Sequence, residues 1–334
     1  MKRFSPIILI ILAMAIIYTG VRSTVITNAE RSLRTAVRSL EDQGYTFRFD
    51  KLEQGGFPYR IALTFTDVSL TDTSNTIEGT ADEIVLISHI WTPNHWLLNV
   101  KGLSLDLLDR GISLSDDFVA ISHKVYDDGR TVIVADSQEA GDFILKRAPG
   151  LTQSMTAENW VFSTVLPAKR QASDNLYEAT IADFRLQVAG GEIGDGKAPH
   201  EYIAGLEITG SLTGEGLTRW QEKQAVQWSS NGGLIDVKTF NILVGRKGPN
   251  QAALGTSGTL SVDAQTNLLG TFSVKAQNMS YWSKIFESSN LFPRRGSLAH
   301  IQSLPEKTEI GIMMQGGAVL IANRQVALTD RLFD

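Results

Sequence analysis

From Tyr45 onward the apolar residues recur at every second position, and this period is broken at intervals by a single step of three. Tyr45, Phe47 and Phe49 share one parity, and so do Tyr59, Ile61, Leu63 and Phe65, before Val68 and Leu70 take the other. The same flip separates Leu98 and Val100 from Leu103 and Leu105, Ile235 and Val237 from Phe240 and Ile242, and Val274 and Ala276 from Met279 and Tyr281. A period of two is that of a half-buried strand, and one extra residue marks a bulge or a strand break. With hydrophobic residues at 43% of the chain, roughly one run with four such positions and polar residues between them is expected by chance; four occur. "YEATIADFRLQV" (Ala179, Ile181, then Phe184, Leu186) departs from the pattern only at Ala182. The pattern predicts a repeated strand–kink–strand unit. The 29 glycines, many in stretches such as "DDGRT", "ITGSLTGEG" and "GTSGTLSVD", supply the hairpin turns between such strands. The expected fold is mainly β with few helices: bulged antiparallel strands forming curled sheet. Helical spacing is confined to "EGLTRWQEKQAVQW", which places Leu217, Trp220 and Trp228 near one face, and to "SYWSKIFESS", which stacks Tyr281, Trp282, Ile285 and Phe286.

The region before Tyr45 follows different rules. After Lys2 and Arg3, the segment Phe4 to Val21 holds eighteen residues without a charge. At about 1.5 Å per residue it reaches roughly 27 Å, the thickness of a bilayer core. The cationic flank keeps the N-terminus cytoplasmic on the positive-inside rule, so residues 1–22 read as a transmembrane or uncleaved signal anchor. The rival is a cleaved signal peptide with "AMA" at Ala13–Ala15 as its small-residue site. Residues 23–44 then carry an apolar stripe at helical spacing (Ile26, Ala29, Leu33, Ala36, Leu40), with Arg31, Arg34 and Arg38 mostly off it and Gly44 as the stop. Such a helix either docks on the core or lies on a lipid surface. Residues 45–334 form the β-rich extracytoplasmic domain, and the stretch 190–200 is the candidate place for a subdivision.

Gly55, Gly56, Phe57 and Pro58 stand directly before the Tyr59–Phe65 strand. Glycine reaches backbone angles closed to other residues, proline fixes φ at a strand start, and the residue before proline is held extended. "GGFP" therefore reads as the turn that launches that strand. Together, "GYTFRFDKLEQGGFPYRIALTFTDVSL" resembles the opening of the bacterial family known as domain of unknown function 2125, in which a membrane segment and a short helix precede a G-[FY]-P-[FY] element, here Gly56-Phe57-Pro58-Tyr59. "WSSNGGLIDVKTFNILVG" and "LGTSGTLSVDAQTNLLGTFSVKAQNM" resemble its second signature, with Val244-Gly245 in place of the usual aromatic–glycine pair. The resemblance spans about residues 4 to 330 and implies location and architecture but no catalytic residue. More distantly, the strands behind one anchor look like the AsmA-like envelope proteins, which implies lipid conduits built of curled sheet.

The residue types that carry chemistry do not assemble in the sequence. Cysteine is absent, so disulfides, thiolate ligands and cysteine nucleophiles are excluded. His89, His95, His123, His200 and His300 show no metal-ligand spacing, though His89 and His95 lie six apart around Trp91 and Pro93. "GEIGDG" lacks the strand-to-helix setting of a phosphate loop, and Asp116-Asp117 and Asp127-Asp128 sit in turn-like sequence. No metal and no other cofactor is expected. The net charge of −5, with no dense basic stripe, argues against nucleic acid.

The expected function is that of a non-enzymatic inner-membrane protein with its bulk in the periplasm, binding lipid or acyl chains in an apolar groove. Its candidate lining residues are Ile61, Leu63, Phe65, Val68, Leu70, Ile235, Val237, Phe240 and Ile242. The alternative is an envelope assembly or scaffold protein that binds a protein partner, with a hydrolase a distant third.

Overall fold

The computed structural model describes residues 27, 31, 34–35, 37–42, 44–56, 59–73, 77–107, 112–137, 141–148, 151–168, 180–194, 201–214, 222–245, 251–282, 304–321 and 324–328. The proposed anchor Phe4–Val21 lies outside them, as do Phe57, Pro58, Ala179, His200, Leu217, Trp220, Ile285, Phe286 and His300. Among the described residues, no helix is long and apolar enough to cross a membrane. By packing, the chain divides into two compact units, residues 1–122 and 123–334. The division falls inside the sixth strand in chain order, β6 (Ile112–Val125), whereas residues 190–194 belong to an unbroken strand, Thr180–Gly194.

In the first unit the described N-terminal residues Thr27, Arg31, Arg34, Thr35 and Val37–Asp42 are helical, with all three arginines exposed. Gly44 ends that helix at φ +86, donating to the Glu41 carbonyl and accepting from Thr73 N–H. Strands β1 (Tyr45–Arg48) and β2 (Lys51–Gly55) both pair with β3 (Arg60–Asp72), which pairs with β4 (Ile77–His89), and that with β5 (His95–Leu107), all antiparallel.

The parity flips follow a physical line across this sheet. Asp67, at φ +51, lies between the pairs Thr66↔Glu83 and Val68↔Ala81, so it stands opposite Asp82. On the next strand Gly102 takes φ +61, and a Cβ there would come within 2.2 Å of the Asp82 carboxylate. Three neighbouring strands thus kink together, and residues on either side of the kink stay on one face. On β3 that face carries Ile61, Leu63 and Phe65, each 1% exposed, then Val68 at 5% and the half-buried Leu70. Ala81 and Val100 close the same core from β4 and β5.

The second unit is one antiparallel ladder. β7 (Thr131–Ser137) and β8 (Gly141–Ala148) both pair with β9 (Leu151–Leu166). From β9 the order runs in sequence through β10 (Thr180–Gly194), β11 (Glu201–Thr213), β12 (Leu234–Val244), β13 (Ala252–Val262), β14 (Leu268–Gln277), β15 (Lys307–Gln315), β16 (Ala318–Ile321) and β17 (Arg324–Leu328). The kink in β12 is a bulge: Val237 faces Gly258 and Phe240 faces Thr256, three steps against two. The flip at Val274–Met279 has another origin. β14 ends at Gln277, Asn278 takes φ +63, and Met279–Trp282 form a helical turn, so this run is a strand end rather than a strand–kink–strand unit.

Candidate functional site

Residues directly opposite across antiparallel strands share a face, so the register of the second unit assembles rows of side chains. One row runs Phe162, Leu186, Ile208, Phe240, Thr256, Val274 and Ile310 from β9 to β15. The next runs Thr164, Phe184, Gly210, Val237, Gly258, Phe272 and Ile312. Ile235 and Ile242 extend the same face above and below, paired with Leu212 and Leu260 and with Leu206 and Leu254. The bulge at Lys238 brings Ile235, Val237, Phe240 and Ile242 onto one wall, because the extra residue rotates the chain once.

The ends of this wall are sealed by local structure. At the Thr213 end the helix Glu222–Ser230 seats Ala225 and Trp228 at 0% and 1% exposure, with Trp228 Nε1–H donating to the Thr213 carbonyl at 2.7 Å. Gly214 and Gly233 make room for that indole: a Cβ on Gly233 would lie 2.2 Å from it. At the opposite end Met279 and Trp282 pack with Val244, Ala252, Ala276 and Ile321, and Trp282 Nε1–H reaches the Ala253 carbonyl at 3.1 Å. Between the two plugs the wall is covered unevenly, with Gly210 and Val274 buried and most of the rest only partly so. Leu186, Ile208, Val237, Phe240 and Ile242 are all of intermediate exposure, and Phe162 is 36% exposed. Thr256 Oγ1 is buried within it without a hydrogen-bond partner.

The other face of the same sheet carries ion pairs, Arg185–Glu207 at 2.8 Å, Lys238–Asp183 at 3.3 Å and Lys275–Glu309 at 3.9 Å, beside the exposed Val161, Leu243, Leu269 and Met313. Two hollows of 510 Å³ each open on it. One has a floor of small residues, Ala189, Gly205, Ala253 and Gly255, between Val161 and Leu243. Glu207 is its one ionisable lining residue, and it is engaged by Arg185. The other lies beside Ser229, whose hydroxyl bonds Ser261 Oγ at 2.6 Å and the Val262 carbonyl, with no histidine, lysine or carboxylate in its lining. Neither hollow places a nucleophile against a base within the described residues.

The sequence-derived candidates therefore fall into two sets. Ile61, Leu63, Phe65, Val68 and Leu70 share a face in the first unit, where all but Leu70 are sealed from solvent. Ile235, Val237, Phe240 and Ile242 share the half-open wall of the second. Gly55 pairs with Ala62, and Gly56 takes φ +87 in the β2–β3 turn, where a Cβ would meet the Arg60 carbonyl oxygen at 2.5 Å. His95 Nε2 lies 3.0 Å from Ser122 Oγ, and His89 is exposed opposite Arg60. No group of three or more histidines or carboxylates among the described residues is placed to hold a metal ion. Asp116 accepts from Phe118 N–H at 2.9 Å, and Asp128 is engaged by Arg130. The contributions of Phe162, Phe184, Leu186 and Ile208 were not among the expected lining residues. Their alternation is present in the sequence, but only the register shows that they continue the wall of β12.

An antiparallel sheet with one apolar and one ion-paired face defines the class, a mainly β protein. Within it, the chain belongs to the family described as uncharacterized protein conserved in bacteria (DUF2125), whose model matches residues 25–299. No curated protein and no solved structure matches the chain.

Proposed function

We propose that this is a non-enzymatic envelope protein, held in the inner membrane by Phe4–Val21 with its bulk in the periplasm, which lays lipid acyl chains along the apolar wall of β9–β15. The observation that carries the reading is the incomplete burial of the two central rows between sealed ends. A wall of Phe162, Phe184, Leu186, Ile208, Val237 and Phe240 that is covered only in part is a liability for a protein that binds nothing. An acyl chain suits it because the rows run across seven strands with no charged side chain, and at about 4.8 Å per strand they extend roughly 29 Å from the first strand to the last. The anchor and the AsmA-like pattern of strands support the same reading. In this setting the protein stores, screens or passes on lipid at the membrane that holds it.

The test is native mass spectrometry and lipid extraction of the full chain purified in detergent. Phospholipid-sized adducts are expected, and Phe240→Asp should remove them while the far-ultraviolet circular dichroism stays unchanged. A lipid-free wild type, or unfolding of Phe240→Asp, would mean a closed core and turn the reading toward a protein partner.

A further inference from the structure

The two most exposed large apolar side chains reported for the described residues are Trp91 at 69% and Tyr59 at 61%. They lie on neighbouring turns at one end of the first unit. Tyr59 immediately precedes β3 and Trp91 follows β4, and the register Arg60↔His89 with the bond from Ile90 N–H to the Tyr59 carbonyl at 3.3 Å sets the two turns side by side. The exposure of Trp91 is built in. Thr92 N–H donates to the His89 carbonyl and His95 N–H to the Thr92 carbonyl, each at 3.0 Å, and Ser88 Oγ–H donates to the His95 carbonyl at 2.8 Å. This turn leaves the indole exposed while its own backbone is held by these bonds.

Charge is distributed in the same sense. Residues 54–66 and 84–105, which form this end of β2–β5, contain no Asp or Glu, whereas Arg60 and His89 are exposed there. On β2–β5 the carboxylate on this side of the kink is Glu53, which stands opposite Thr64 and is paired with Lys51, while Asp67, Asp72, Glu78, Asp82, Glu83 and Asp106 lie at or beyond the kink. A tip of one exposed Trp, one exposed Tyr and a neighbouring Arg, with no carboxylate on its two turns, matches the headgroup layer of a bilayer. There an amphipathic ring keeps its polar atom wet while its body enters the acyl boundary, and a cation meets anionic lipid.

We infer that Tyr59, Arg60 and Trp91 form a membrane-docking tip that inserts into the interfacial layer of an anionic bilayer, independently of any lipid held on the wall of the second unit. The full chain is reconstituted with vesicles of phosphatidylcholine containing a minority of phosphatidylglycerol, with acyl chains brominated near the headgroup or left plain, and tryptophan emission is recorded. Six tryptophans report together, so the informative quantity is the share of quenching that Trp91→Phe removes. Wild type should be quenched by the brominated lipid, and Trp91→Phe should lose most of that quenching with unchanged circular dichroism. Arg60→Glu should reduce it with phosphatidylglycerol present and leave it unaltered in phosphatidylcholine alone. Equal quenching of wild type and Trp91→Phe would overturn the inference, as would an emission indifferent to bromine, the result expected of a tip that binds protein instead. Neither outcome touches the Phe240→Asp test, so the two readings fail separately.

Discussion

At the scale of single residues the turns carry the sharpest requirements. Gly56 combines φ +87 with a Cβ position 2.5 Å from a backbone oxygen, so Gly56→Val meets both dihedral strain and a clash that no side-chain rotation relieves. It should lower stability by about 1–3 kcal/mol in denaturant titration, while Gly55→Ala, whose Cβ meets only Ala62 Cβ at 3.9 Å, should cost less. Asp128 offers a pH test. The Arg130 backbone N–H, then its guanidinium, hold its pKa below the ordinary 3.8. A carboxylate depressed in the folded state contributes stability above its unfolded pKa and loses it as pH falls through the folded one. The stability difference between wild type and Asp128→Asn should thus be constant at neutral pH, shrink only below 3.8, and be visible in acid melting curves. The side chain is fully exposed, so the effect is small.

At the scale of elements the bulge in β12 is the informative object. Lys238 is the extra residue relative to both β11 and β13, since Thr209 pairs with Thr239 while Gly210 pairs with Val237. Deleting Lys238 leaves Ile235, Val237, Phe240 and Ile242 in strict alternation, so the register and the apolar face should survive and only the local bend be lost. Hydrogen exchange of the β12 amides should stay protected. Exposure of the whole strand would mean that the bend, not the alternation, holds it. The alternation itself was legible in the chain, and with it the β class and three of the four flips. The fourth was not, because Asn278 in the left-handed region produces the same spacing of Val274, Ala276, Met279 and Tyr281 that a kinked strand does. Asp82 shows the opposite failure: its strand kinks with β3 and β5, but Ile84, Val85, Leu86 and Ile87 are apolar at successive positions and leave no parity to announce it. Pairing across strands has no local signature at all, which is why the rows through Phe162, Leu186 and Ile208, and the floor of Ala189, Gly205 and Gly255, emerge only from the register.

At the scale of the whole molecule the two units differ in how completely each closes its apolar face. The first buries Ile61, Leu63 and Phe65 to 1% exposure, and the second leaves Phe162 at 36% with Leu186, Ile208 and Phe240 between the extremes. A sealed core responds to truncation by leaving a cavity, so Phe65→Ala should cost about 3–5 kcal/mol whether or not lipid is present. A half-open wall gains stability from whatever covers it, by an amount that grows with the logarithm of ligand concentration over its dissociation constant. Adding an excess of phospholipid in mild detergent should therefore raise the protection of amides in β10–β13 and leave those in β3–β5 where they were. Phe240→Ala should flatten that response and cost the lipid-free protein less than Phe65→Ala costs, since Phe240 is less completely buried than Phe65. Equal gains in both units would place the lipid effect on the detergent or the anchor rather than on the wall, and a gain confined to β3–β5 would move the binding face to the first unit.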